Sequence, residues 1–144
     1  MARGDRSAPE DLVRRFMELA WNQGDEEVAA GLLATEFAHH DLVTDVESDA
    51  ANYLQSILGL RSAFSAIEVQ IHETIASDGR VAYRWTAVGT QAVTGVTVAI
   101  DGMSIDHVAE GRIVENWTVW DRARLESQLP DLLRPGKDGA QEGG

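Results

Sequence analysis

The apolar residues of this chain change period at Ala66, and that change constrains the fold more than any other feature. Upstream, Leu12, Val13, Phe16, Leu19 and Ala20 fall on one helical face, and Tyr53, Ile57, Leu60 and Phe64 form a second such stripe. Downstream, Ile67, Val69, Ile71 and Ile75 alternate with polar neighbours, as do Val81, Tyr83, Trp85 and Ala87. Helices first and a run of antiparallel strands afterwards is an α+β order. Three helices cannot cover both faces of four long strands. One face should therefore curl around the helices and enclose a cavity, and the other needs a partner sheet. Ile113, Trp117 and Val119 would supply an apolar patch for a homodimer.

Local signals place the elements. Ser7 with Glu10 makes a capping-box pattern ahead of Pro9, and Asn22 and Gly24 end the first helix. Asp25 can cap a second helix carrying Val28, Leu32 and Leu33, and Ser48 or Asp49 a third that would close the cavity as a lid. Ser77-Asp78-Gly79-Arg80 is a hairpin turn, and Gly95 allows a bend before Val96, Val98 and Ile100. The stretch from Ala99 to Leu129 reads as two strands joined at Glu110-Gly111, then a short helix. With Gly111 at the bulge of a three-residue loop, Ser104 faces Thr118 and Asp106 faces Asn116; a two-residue loop would put Met103 opposite Thr118. The first register gathers the small polar groups on one face and is preferred. Residues 1–8 are expected to be a disordered N-terminus, 9–129 the domain, and 130–144 a flexible tail.

Composition narrows the function. A net charge of −12 and a pI near 4.6 argue against nucleic acid and anionic membranes as partners. There is no cysteine, hence no disulfide framework and no thiolate chemistry. The opening MARGDRSAPED has no apolar core of a signal peptide, and no apolar run nears the ~18 residues of a membrane span, so a cytoplasmic protein is expected. No glycine-rich phosphate loop is present, so an enzyme built this way is expected to work without a bound nucleotide, by proton transfer.

Asp121 and Asp106 are the candidate catalytic acid/base groups, because a carboxyl beside an apolar, Trp-lined cavity has its charged form desolvated. Asp121 could equally be the N-cap of the last helix, and Asp106 a partner of Arg84. Arg84 in turn could hold substrate oxygens in its donor fork. In His39-His40-Asp41 the two imidazoles point to opposite sides of an extended chain, which disfavours a shared metal and leaves His40 as the cavity-facing histidine. His107 reads as an outer-face polar residue. Trp85, Trp117 and Trp120 belong to the core, to an interface, or to a stacking surface for an aromatic ligand.

These segments also carry a resemblance. Gly111, Ile113, Val114, Glu115, Trp117, Asp121, Gln128 and Leu129 match a closing pattern, G-K-I-V-E-x-W-x-x-x-D and a helix ending Q-L-G, that resembles the SnoaL-like polyketide cyclase family of the nuclear-transport-factor-two-like superfamily. Trp21-Asn22-Gln23-Gly24-Asp25 resembles its W/Y-N-x-G-D turn, and Glu36 to Asp41 its F-V-x-H-D segment, with Phe37 in the core and His40 near the cavity mouth. Gly89-Thr90 resembles its G-T-H, with Gln91 replacing the histidine. The resemblance spans residues 9–129 and implies a cone-shaped α+β barrel: three N-terminal helices packed on a curved antiparallel sheet with an internal cavity. Family cyclases close the last ring of an aromatic polyketide by a cofactor-free intramolecular aldol condensation. Their usual catalytic Asp falls here on Thr118, and a frequent His on Ser104. Either Asp121 or Asp106 has taken over, or the reaction is ring hydroxylation, as in related members.

The resemblance therefore implies a tailoring enzyme of aromatic polyketide (anthracycline-type antibiotic) biosynthesis. Its flat polycyclic substrate would lie against His40, Tyr53, Arg84, Ser104, Asn116, Thr118 and Trp120. Two other readings stay open: a ketosteroid-isomerase-like enzyme using Tyr53 or Tyr83 in a Tyr–Asp donor pair, and a non-catalytic small-molecule-binding domain.

Overall fold

A computed structural model describes residues 8–129. The expected Ser7 cap and the expected disorder at the two ends lie outside the described residues. Helix α1 (Pro9–Met17) starts at Ala8 with Pro9 in its first turn, and buries Val13, Phe16 and Met17. It does not stop at Met17. It widens into one π-helical turn, Glu18–Gln23, and ends at Gly24, whose φ of 70° suits a residue without a Cβ. Asn22 anchors that turn to the sheet: its Oδ1 accepts from Val69 N at 2.6 Å and its Nδ2 donates to Val69 O at 3.2 Å. Asp25 then caps α2 (Glu26–Ala30) by accepting from Val28 N. Helix α2 is shorter than expected: Val28 is exposed, and Leu33 belongs to the strand that follows.

The strands are β1 (Leu33–Asp41), β2 (Val46–Asp49), β3 (Phe64–Ser77), β4 (Arg80–Gln91), β5 (Thr97–Ala109) and β6 (Arg112–Trp120). Between β2 and β3 runs α3 (Ala50–Ala63), capped by Asp49. After β6 comes α4 (Arg122–Gln128). The sheet order is β2-β1-β6-β5-β4-β3. Every pairing is antiparallel except β1 with β6, which is parallel. The all-antiparallel sheet is corrected on that point. The segment from Glu36 to Asp41, read as a short extended piece, is the end of a nine-residue strand one in from the edge of the sheet, between β2 and β6. The sheet curves around α1, the π turn and α3 without closing, and Ile57, Tyr53, Leu54, Phe16 and Val13 fill the space between.

Bulges supply the curvature and reset which residues face inward. The hairpin at Glu110-Gly111 is a two-residue turn with both residues at positive φ, joining Ala109 to Arg112. Yet Ser104 does face Thr118 and Asp106 does face Asn116, because Val114 bulges out between Ile113 and Glu115. The expected register therefore stands, but a bulge inside the strand sets it rather than a longer loop. The same bulge turns Ile113 into the core at 1% exposure, which removes it from the outer patch. A second bulge at His72 acts in reverse on β3: Val69 and Ile71 face the core, while Ile75 emerges on the outer face at 67% exposure.

Candidate active site

Between the concave sheet and α3 lies a cavity of about 260 Å³, lined mostly by hydrocarbon from Leu60, Phe64, Ile67, Val69, Val98 and Ile100. One wall, contributed by β1, β5 and β6, is polar: His39, Asp41, Ser104, Thr118 and Trp120 line it, with Trp85 beside them. This mixture of apolar lining and a few convergent polar groups is the usual make-up of a small-molecule site.

Strand alternation decides which side chains reach it. Phe37 is buried, so His39, two residues on, also points inward and His40 outward. This reverses the expectation for His40. Its imidazole sits on the outer face, 2.6 Å from Glu115 Oε2 and stacked on Trp117. Arg84 is likewise on the outer face, because Tyr83 and Trp85 on either side of it are buried; it pairs with Glu73 at 3.2 Å and not with Asp106. Asp121 is exposed. Its carboxylate accepts from Arg124 N at 3.0 Å as the cap of α4, and it borders a shallow outer groove rather than the cavity. Of the expected substrate contacts, Tyr53, Ser104, Thr118 and Trp120 line the cavity.

Asn116 and Asp106 lie one layer behind the wall, at 4% and 2% exposure. Burial pushes the Asp106 carboxyl up to about 7, against the opposing hydrogen bonds from Asn116 and Tyr83. Those bonds are Asn116 Nδ2 to Asp106 Oδ1 at 2.5 Å and Tyr83 Oη to the same oxygen at 3.1 Å. Tyr83 and Asp106 thus form a Tyr–Asp pair, with the phenol proton directed at Asp106 and away from the cavity. With its NH2 turned to Asp106, Asn116 offers its carbonyl oxygen to two donors, Thr118 Oγ1 at 3.0 Å and His39 Nδ1 at 2.6 Å. An amide oxygen only accepts, so Nδ1 must carry the His39 proton, which leaves Nε2 as a lone-pair acceptor. Burial holds the His39 pKa below its ordinary value and so favours the neutral ring. Stacking on Tyr53, centroid to centroid 4.1 Å, fixes its plane.

His39 is the residue that sequence reasoning passed over. Its signal was present, since Phe37 was already assigned to the core and parity carries His39 to the same side. Asp41 was noticed only as part of a histidine cluster. In the structure its carboxylate accepts both from Trp120 Nε1, at 3.2 and 3.1 Å, and from the backbone N–H groups of Val43 and Thr44. Gly102 has a steric role: the Trp85 ring lies across it, and a Cβ there would sit 2.1 Å from Trp85 Cζ2.

A family model described as SnoaL-like polyketide cyclase matches residues 11–129. No curated protein matches the chain. Among solved structures, IdmH of Streptomyces antibioticus, a candidate polyketide cyclase, is 23% identical with a TM-score of 0.77, over 85% of this chain and 98% of that one. AclR of Streptomyces galilaeus, a candidate hydroxylase, is 22% identical with a TM-score of 0.71, over 85% and 97%. A Catenulispora acidiphila protein of ketosteroid isomerase-like fold is 14% identical with a TM-score of 0.76, over 90% and 100%. At these identities the likeness is one of fold.

Proposed function

The chain belongs to the SnoaL-like polyketide cyclase family, and from that membership we propose a cofactor-independent tailoring enzyme of aromatic, anthracycline-type polyketide biosynthesis that works by proton abstraction in its apolar cavity. The observation that carries this reading is the hydrogen-bonded run His39–Asn116–Asp106. His39 Nε2 takes a proton from a substrate O–H, or from a carbon next to a carbonyl. The imidazolium that forms keeps its Nδ1–H on the Asn116 carbonyl, and above about pH 7, where Asp106 is ionised, its carboxylate on the far side of that amide favours the positive charge. The anion left on the substrate then has two fates. It can react with dioxygen, one oxygen atom entering the ring as a hydroxyl while the other leaves as water at the expense of two electrons and two protons from a separate reductase, or it can attack an internal carbonyl carbon, whose oxygen then leaves as water, and close a ring.

Hydroxylation fits the wall better. Ser104 and Thr118 stand where family cyclases carry acid/base groups, and their protons are committed along the wall rather than toward an enolate. Ring closure is the second reading; the Tyr53 hydroxyl, on the ring stacked against His39, is a donor that could hold an enolate oxygen. The test is incubation with an anthracycline-type ring precursor under isotopically labelled dioxygen, with a reductant supplied. Gain of a labelled oxygen supports hydroxylation, and loss of water with a new ring supports the aldol. Tight binding without either product would mean a non-catalytic binding domain.

A further inference from the structure

We infer that Ser104 and Thr118 make the polar wall of the cavity selective for ligands that donate an O–H, so that the substrate docks there through a phenolic or enolic hydroxyl rather than a carbonyl or an ether. This rests on the proposed function only for the aromatic scaffold of the ligand; the polarity of the wall follows from its hydrogen bonds.

Each proton on the wall can be assigned. Trp85 Nε1 donates to Ser104 Oγ at 3.0 Å. Thr118 Oγ1 donates to Asn116 Oδ1, which cannot donate in return. The single Thr118 proton is thereby spent, so in the 2.9 Å contact between Ser104 and Thr118 the proton must come from Ser104. The run is one-way: Trp85 to Ser104 to Thr118 to Asn116 to Asp106. Each hydroxyl has accepted once and donated once, and each keeps one lone pair and no proton.

The neighbouring groups are committed in the same sense. Trp120 Nε1 is held by Asp41, and Tyr83 Oη donates to Asp106. His39, its proton on Nδ1, offers a lone pair at Nε2, and Asp41 offers carboxylate oxygens. A substrate hydroxyl finds acceptors wherever it lies along this wall. At Ser104 and Thr118 a carbonyl or ether oxygen meets only other lone pairs, and loses its hydrogen bonds to water without replacement; the donors the cavity does offer, Trp21 Nε1 and the Tyr53 hydroxyl, stand on its helical side, on the π turn and α3.

The test uses three flat ligands on one ring system: 2-hydroxyanthracene, 2-methoxyanthracene and 2-acetylanthracene, titrated against the tryptophan fluorescence of the whole chain. The phenol should bind the wild type about tenfold tighter than the ether or the ketone, the size expected for one hydrogen bond made against one left unmade. Thr118→Val removes one acceptor and frees the Ser104 proton to face the ligand, so it should lower that preference severalfold while changing affinity for the ether less than about twofold. Ser104→Ala, a milder change that keeps the result readable if Thr118→Val fails to fold, should lower it. Equal binding of the three ligands by the wild type, or a preference left unchanged by both substitutions, overturns this inference alone. Failure of all three to bind the wild type contradicts the aromatic-substrate reading as well as this inference.

Discussion

At the scale of single residues, chemistry and position part company at two sites. Asp121 has the residue type of a base but the place of a helix cap. Because asparagine caps as well as aspartate, Asp121→Asn should leave both turnover and stability close to wild type. Asp106 is the reverse case, a carboxyl whose burial is itself the chemistry. Folded Asp106 holds its proton up to about pH 7, whereas an ordinary Asp releases it near 3.8. Between those values the folded state binds the extra proton, so the Asp106 contribution to stability falls as pH rises from about 4 to about 7 and is constant above. His39 acts in the opposite sense, its lowered pKa costing stability as pH drops through 6.5. Comparing wild type with Asp106→Asn isolates the first effect. In urea unfolding the variant should match wild type near pH 4, gain on it as pH rises toward 7, and exceed it at pH 8 by on the order of a few kcal/mol. The sequence made Asp106 legible through its pairing with Asn116. His39 was hidden because a motif pointed to His40, and only the parity with Phe37 could have corrected it.

At the scale of elements, the long strands after Ala66, the turns at Asp78-Gly79 and Glu110-Gly111 and the Asp25 cap could be read from period and turn residues, and the cap of α3 was narrowed to Ser48 or Asp49; the β1–β2 pair that precedes α3 could not, because β2 is four mostly exposed residues with no apolar alternation. The bulges could not. Nothing in the type of His72 or Val114 marks a residue that will sit out of register, yet these two positions decide that Ile75 is exposed and Ile113 buried. The π turn was equally silent, since its cause is tertiary: the Asn22 clamp on Val69 and the Arg61 guanidinium on the carbonyls of Trp21 and Asn22. One element-level prediction concerns β5. Gly102→Ala must displace the Trp85 ring and with it the hydrogen bond to Ser104 that starts the run along the wall. Overpacking of this kind should cost about 1–3 kcal/mol, read by chemical unfolding, and should weaken the phenol preference of the cavity.

At the scale of the whole molecule, the convex face of the sheet is the part still without a partner. Register places Ile75, Ala82, Ile105 and Trp117 in one row across four strands, with Met103 and Val119 in the next row. Ile75, Ile105, Met103 and Val119 are all exposed, while the His40 ring covers one side of Trp117. A monomer would leave this apolar strip in water, and two-fold packing of one sheet on another would bury it. We expect a homodimer. Trp117→Ala should weaken it by ~2–4 kcal/mol in sedimentation equilibrium, and Ile105→Glu should abolish it by burying a charge. A wild-type chain that sediments as a clean monomer at micromolar concentration would contradict this.

The central claim is that His39, oriented through Asn116 and Asp106, removes the substrate proton. Steady-state kinetics of His39→Gln on the authenticated substrate tests it most directly, because glutamine keeps a polar side chain of similar reach but cannot take a proton at neutral pH. The account predicts a fall in kcat of roughly 10²–10⁴-fold with KM nearly unchanged. A His39→Gln enzyme that turns over within a few-fold of wild type would contradict it.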